Sequence, residues 1–318
     1  MSASDSAAAG SAASDGAGSG GAASGGAPTI GVIGLGAIGD GVAASVHAAG
    51  LPLVVCDVRS EATDRHADHA TVAASPAELA RAADIVVVAV VNAEQVTAVL
   101  SGPDGALAAG GPGTTFVVVS TITPHCVAAI GDEAAALAVP VVDCGVSGGP
   151  SAAASGNLVC MVGGDPAVVA GLAPLFDAMG SLTVTMGPFG TGLAAKLARN
   201  LVQYGGWLAA YEGQVLAEAA GIDLAKLAQV IRASDALIGG ASTLMFRSTV
   251  APFTESDDAG LIGAMQAGAS LARKDLQAAL ALAGGLDVDL PLATMAKDRC
   301  DDIFGVGAIN GTSKEDGR

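Results

Sequence analysis

Three groups of residues have types and spacing suited to a ligand that carries phosphates and a carboxylate. The first is Gly34-x-Gly36-x-x-Gly39, which follows the apolar run Ile30–Ile33 and opens a stretch of helical spacing that reaches His47. In such a loop the first glycine permits the tight turn. The second lets the backbone approach a pyrophosphate, and the third lets the helix pack on its strand. The helix N-terminus then meets the phosphates with N–H groups and the positive end of its dipole. A pattern like this alone also occurs as a plain strand-to-helix turn. Here the strand, the helix and an acidic residue about 20 positions on, Asp57, accompany it. The loop residues Gly34, Leu35, Gly36, Ala37, Ile38 and Gly39 are therefore candidates for dinucleotide binding. Asp57 ends the second apolar run, where a carboxylate accepts hydrogen bonds from ribose hydroxyls and repels a 2′-phosphate. That favours NAD, while Arg59, two residues on, can fold back onto a phosphate and leaves NADP possible. The plain alternative for Asp57 is a solvated strand-end carboxylate.

The second group is Ser147-Gly148-Gly149. Small residues after a strand expose backbone N–H groups and one hydroxyl, and such a nest binds a carboxylate. Standing alone, the block also reads as an ordinary glycine turn. The third is Lys196 with Asn200, four apart and so on one face of a helix. That helix follows a glycine-rich turn where a sheet half should meet a helical half. A partly desolvated lysine there has its pKa lowered toward a proton-transfer role. Thr121, in Ser120-Thr121-Ile122-Thr123-Pro124, closes another strand at the sheet's carboxyl edge, where open α/β folds bind ligands. A Thr at a strand end also caps helices.

The elements that must position these groups are legible as short apolar runs. They are Ile30–Ile33, Leu53–Cys56, then 85–91, 116–119, 139–142, 158–162 and 182–184, with helix-compatible stretches between most of them. Continuous apolar strands alternating with helices predict a parallel sheet covered on both faces. After Met186 no strand is expected, and helices fit 192–220, 223–234, 258–284 and 291–303. The fold class is α/β: a Rossmann-type, mostly parallel sheet domain over 29–186, followed by an all-α domain over 187–309. Residues 1–28 are Ala, Gly and Ser with two Asp, and read as a disordered tail; 310–318 read as a polar tail.

Composition narrows the function classes. The chain of 318 residues is 51% hydrophobic but only 3% aromatic, so its cores rest on Ala, Val, Leu and Ile. No run approaches the roughly 20 apolar residues of a membrane span. The net charge of −17 argues against nucleic-acid binding. Five cysteines without CxxC spacing indicate neither a zinc site nor a disulfide framework, and fit a reducing cytoplasm. The four histidines show no metal-ligand spacing, so no metal is expected. The Ala-rich helical half suggests a homo-oligomer.

Four blocks, in order along nearly the whole chain, resemble those of a known family. They are Gly34 to Gly39 continuing to Ala48-Ala49-Gly50, then Asp143-Cys144-Gly145-Val146-Ser147-Gly148-Gly149 with Ala153 and Gly156. Next come Gly187-x-x-Gly190-x-Gly192-x-x-x-Lys196-x-x-x-Asn200 and Lys274-Asp275-Leu276. The family is that of the β-hydroxyacid dehydrogenases, which includes 3-hydroxyisobutyrate dehydrogenase and tartronate semialdehyde reductase. The resemblance implies an NAD(P)-dependent oxidoreductase that interconverts a short 3-hydroxy acid and its semialdehyde or keto acid. It implies Lys196 as general acid/base, Asn200 as substrate orienter and Ser147, Gly148 and Gly149 as carboxylate holders. Thr121 and Lys274 become cofactor contacts, though for Lys274 beside Asp275 an exposed helix pair is the plain alternative. Members that take NADP place Asn-Arg where this chain has Asp57-Val58, which again favours NAD. Val90-Val91-Asn92-Ala93-Glu94-Gln95 is similar to threonate-type members. Two departures stand out: Cys144-Gly145 where the family usually has Ala-Pro, and Ala152 where a Gly is frequent. Both put the substrate in question rather than the reaction. Competing readings are an imine or ketone reductase of similar architecture, which usually lacks the lysine, and a dinucleotide-binding protein without turnover.

Overall fold

The computed structural model describes residues 26–101 and 105–309. Apart from residues 26–28, the two expected tails lie outside that range. The chain divides into two compact units, with the break between Ala194 and Ala195.

The first unit holds eight strands: β1 (Ile30–Ile33), β2 (Leu53–Cys56), β3 (Thr71–Val72), β4 (Ile85–Val88), β5 (Thr115–Val118), β6 (Val141–Ser147), β7 (Leu158–Gly163) and β8 (Gly180–Gly187). Helices join them: α1 (Gly39–Ala48), α2 (Ser60–Thr63), α3 (Pro76–Ala82), α4 (Ala93–Ser101), α5 (Ala106–Gly110), α6 (Pro124–Ala136), α7 (Gly149–Ala154), α8 (Pro166–Gly171) and α9 (Ala173–Met179). The spatial order is β3-β2-β1-β4-β5-β6-β7-β8. From β3 to β6 this is the Rossmann order, all parallel, and it reverses direction at β1 and β4.

The apolar runs are continuous because both sheet faces are buried. Alternate side chains of each strand enter opposite cores. Ile30, Val32, Leu53, Val55, Ile85 and Val87 share one cluster with Val42 and Val46 of α1. Ile33, Val54, Val86, Val88 and Phe116 share the other with Leu79 of α3 and Ile130 of α6. Each fully buried Val, Leu or Ile contributes about 1.5–3 kcal/mol.

The sheet is mostly parallel, as expected, and the exception is β6 with β7, which are antiparallel. The link between them holds only the six-residue α7, too short for the dozen or so residues that a parallel crossover needs. The two-residue β3 was not legible, because neither of its residues is buried. At the other edge, β8 leaves Leu182 and Val184 exposed.

The second unit is helical. The long α10 (Thr191–Ala219) enters it, followed by α11 (Leu224–Ile238), α12 (Ala259–Gly285), α13 (Pro291–Asp298) and α14 (Cys300–Phe304). Asp223 and Asp258 cap α11 and α12 with their side chains. The buried Glu212 of α10 accepts from the N–H groups of Leu292 (2.7 Å) and Ala293 (3.0 Å) and so caps α13. The single helix expected over 291–303 breaks at Arg299 into α13 and α14. Among the described residues, no helix is long and apolar enough to cross a membrane.

Candidate active site

The glycine loop joins β1 to α1 beside the point where the strand order reverses, the usual ligand crevice of such sheets. Gly34 has φ +89°, and a Cβ there would meet the Ala89 carbonyl oxygen at 2.8 Å. A Cβ on Gly39 would collide with the carbonyl oxygen of Gly34, so helix and strand can pack this closely only without it. A Cβ on Gly36 would meet nothing within 4 Å. That leaves the open space beside the start of α1 that close approach of a pyrophosphate requires.

Asp57 follows β2, and its Oδ2 accepts the N–H of Leu35 at 2.7 Å. The carboxylate is thus tied to the loop it was expected to serve. Arg59 does fold back, but onto Asp57 itself: its Nε donates to Oδ1 at 3.0 Å and its Nη2 to Oδ2 at 3.1 Å. Burial works to raise the Asp57 pKa. The hydrogen bonds and charge of Arg59, with the Leu35 N–H, outweigh it and hold the carboxyl below the usual range. The expected repulsion of a 2′-phosphate therefore comes from a carboxylate already paired with a guanidinium. A cavity of about 520 Å³ opens here, walled by Gly34, Gly36, Asp57, Arg59, Pro76 and Val90 among others. An open glycine cradle, a strand-end carboxylate and an apolar slot fit a dinucleotide.

Further along the sheet edge, Ser120 ties two strand ends together. Its hydroxyl accepts from the N–H of Val90 (2.9 Å) and lies 2.8 Å from the Val90 carbonyl oxygen. Thr121 is exposed, and the helix cap falls instead to Thr123, which accepts from Cys126 N–H at 3.4 Å. In the segment similar to threonate-type members, Asn92 accepts from the N–H of Gln95, and Gln95 accepts from that of Val91, each at 2.9 Å. These residues cap α4.

Ser147 ends β6, and Gly148 and Gly149 follow with φ +130° and +74°. Both values lie in the region that favours glycine, and they turn the chain sharply from β6 into α7. A Cβ on Gly148 would meet Ala152, so that departure from the family fills the space under the turn. The other departure lies elsewhere: Cys144 is fully buried in the core beside Val162. A Cβ on Gly41 would collide with Ala153, so α1 of the glycine loop lies directly on α7 of the nest.

Lys196 and Asn200 lie one turn apart on α10. Lys196 is half-buried, and its pKa is lowered by that burial first and by the charge of Arg199 second. Asn200 Oδ1 accepts from Arg199 Nη1 at 3.3 Å. Lys274 on α12 is exposed, with its Nζ 3.3 Å from the Asp275 carboxylate.

Sequence spacing missed one cluster. His66 contacts Asp40 at 3.0 Å and His69 at 3.3 Å, while His47 stacks on His69 at 4.0 Å between ring centroids. Among the described residues no group of three or more His, Cys, Asp or Glu is arranged to hold a metal ion.

Residues 29–187 match the NAD binding domain of 6-phosphogluconate dehydrogenase. Residues 190–304 match the NAD-binding domain of NADP-dependent 3-hydroxyisobutyrate dehydrogenase. An uncharacterized oxidoreductase of Mycobacterium tuberculosis is 38% identical over 255 residues, 80% of this chain and 85% of its own length. The L-threonate dehydrogenase of Cupriavidus necator is 37% identical over 193 residues, 60% of this chain and 65% of its own. A crystal structure from Mycobacterium avium shares the fold with a TM-score of 0.80 at 35% identity, over 88% of this chain and 99% of that one. Sheet order, glycine cradle and these matches define an oxidoreductase that binds NAD(P). The chain belongs to the β-hydroxyacid dehydrogenase family, the 3-hydroxyisobutyrate dehydrogenase type.

Proposed function

We propose that the chain oxidises the alcohol of a short 3-hydroxy acid to its semialdehyde or keto acid, and reduces it in reverse. Bound nicotinamide supplies the hydride acceptor. Lys196 takes the hydroxyl proton on Nζ and returns it in the other direction. Ser147 and the N–H groups of Gly148 and Gly149 hold the substrate carboxylate, and Asn200 orients the substrate. Thr121 and Lys274 contact the cofactor.

The observation that carries this reading is the placement of Lys196, half-buried on α10 one turn from Asn200, where burial first and the Arg199 charge second lower its pKa. Lysine is a poor base at its ordinary 10.5 because it stays protonated, and burial beside Arg199 makes the neutral amine accessible. The Cupriavidus relative acts on L-threonate, which supports a polyhydroxylated acid of about that size as one candidate substrate. The amide oxygens of Asn92 and Gln95 are taken up by capping α4, so any contact of theirs with substrate would come from the amide N–H groups.

The same reading includes a homo-oligomer, because α10 exposes Leu201, Tyr204, Trp207 and Tyr211 at helical spacing. Light scattering on the full chain checks it, and a monomer at micromolar concentration refutes it.

The decisive experiment is a panel of 3-hydroxyisobutyrate, L-serine and L-threonate with NAD, set against a cyclic imine with NADH. Turnover of a hydroxy acid supports the proposal. Turnover of the imine alone makes the chain an imine reductase, and binding of NADH without any turnover makes it a non-catalytic dinucleotide binder.

A further inference from the structure

Asp57 carries four hydrogen bonds on two oxygens. Oδ1 takes the Arg59 N–H at 2.9 Å and Arg59 Nε at 3.0 Å; Oδ2 takes the Leu35 N–H at 2.7 Å and Arg59 Nη2 at 3.1 Å. Each carboxylate oxygen has two lone pairs, so both are at capacity. A ribose hydroxyl reaches Asp57 only by displacing a donor. The two backbone N–H groups are fixed by the chain. The guanidinium sits at the end of a long side chain that is 52% exposed, whereas the Asp57 side chain is 7% exposed. Arg59 is therefore the donor that yields.

The surroundings leave it no substitute. Among the described residues walling this cavity, Asp57 is the only acid and Arg59 the only base. Val58, between them, points fully into solvent and covers neither. Arg65 is held elsewhere, its Nη2 2.9 Å from Asp40.

We propose that Arg59 is the residue that admits NADP to this chain: a guanidinium that rests on Asp57 and turns onto the adenosine 2′-phosphate. An unpaired Asp57 would repel that phosphate. Turning Arg59 exchanges one charge-assisted pair for another and gives up its Nη2 bond to the Leu35 carbonyl oxygen at 3.1 Å, while the N–H groups of Leu35 and Arg59 keep the carboxylate in place. With NAD no phosphate is present. A ribose hydroxyl then replaces Nη2 on Asp57, and Arg59 adds little. The chain therefore binds both cofactors, and only NADP depends on Arg59.

Calorimetric titration of the full chain tests this without any turnover. The ligands are NADH and NADPH, with 5′-AMP and 2′,5′-ADP as probes of the adenosine end alone. Arg59→Ala should weaken NADPH and 2′,5′-ADP at least about tenfold and leave NADH and 5′-AMP within about threefold. Arg59→Lys, which keeps a charge but loses the fork, should fall between. It serves as the test if the Ala variant does not fold. Equal weakening of both nucleotides would make Arg59 a structural tie of the strand end and overturn the proposal. So would NADPH affinity that is unchanged in either variant, or an unmodified chain that binds NADH and not NADPH. Failure of the unmodified chain to bind either nucleotide would overturn the pocket assignment together with it.

Discussion

The carboxylate of Asp143 accepts a hydrogen bond from the N–H of Leu193 at 2.5 Å, across 50 residues of chain. It also accepts from Gly190 at 2.6 Å. Asp143 is fully buried, and burial pushes its pKa up while the backbone N–H groups pull it down. Asp143 lies on β6 four residues before Ser147, and Leu193 lies in the first turn of α10, so this one side chain joins that strand to the start of the helix. A Cβ on Gly192 would collide with the Met161 carbonyl oxygen, so the helix start lies directly on β7.

Asp143→Asn should therefore cost stability. An amide presents N–H to a partner that is itself a donor, leaving a buried group unsatisfied at about 1–3 kcal/mol. Thermal and denaturant unfolding measure this. A variant as stable as the parent would mean that water or a local shift replaces the lost bond.

Lys196→Ala should leave NADH affinity nearly unchanged and lower kcat by about 10²–10⁴-fold. Steady-state kinetics beside a binding titration separate the two effects. Equal turnover would remove Lys196 from the mechanism.

The pH profile of the unmodified chain carries a second signature of the same residue. Oxidation needs the neutral amine, so kcat/KM for the hydroxy acid should rise with pH through a pKa below the ordinary 10.5. Reduction needs the protonated amine and should fall over the same window. A rising limb that survives in Lys196→Ala would assign the titration to another group.

Gly148→Ala should raise the KM of the hydroxy acid more than it lowers kcat. Alanine rarely adopts φ +130°, and its Cβ would meet Ala152. The expected effect is about tenfold or more in KM, with NADH binding spared because the glycine loop is untouched. Unchanged KM would show that the turn does not hold the substrate.

NAD should be preferred over NADP by about tenfold in kcat/KM, a difference of about 1.4 kcal/mol. Asp57→Asn with Val58→Arg should narrow or reverse that preference, since it removes the acid and adds a second cation. Kinetics with both cofactors decide it, and a preference for NADP in the unmodified chain would mean that Arg59 dominates the strand end.

The strands that form the sheet were legible because side chains buried on both faces must be apolar throughout, as Ile30–Ile33 and Ile85–Val88 are. The cofactor loop was legible for a similar reason: Gly34 and Gly39 stand where no Cβ fits. The roles of Ser120, Asn92 and Gln95 were not, because a polar residue after a strand serves a cap, a cross-tie or a ligand equally well, and only its partner distinguishes them. The direction of β7 was a matter of link length rather than strand composition.

By itself, the sequence determined the Rossmann-type sheet, the glycine loop and the placing of Lys196 and Asn200 one turn apart on a helix, because each depends on local pattern: burial period, the absence of a Cβ, one helical turn. Tertiary structure alone decided that Arg59 lies on Asp57, that Asp143 holds the start of α10, and that His47, His66 and His69 gather beside Asp40. Those contacts join residues whose neighbours in space are set by the path of the backbone. A charged or polar side chain has many partners within reach in the unfolded chain, and the fold selects among them.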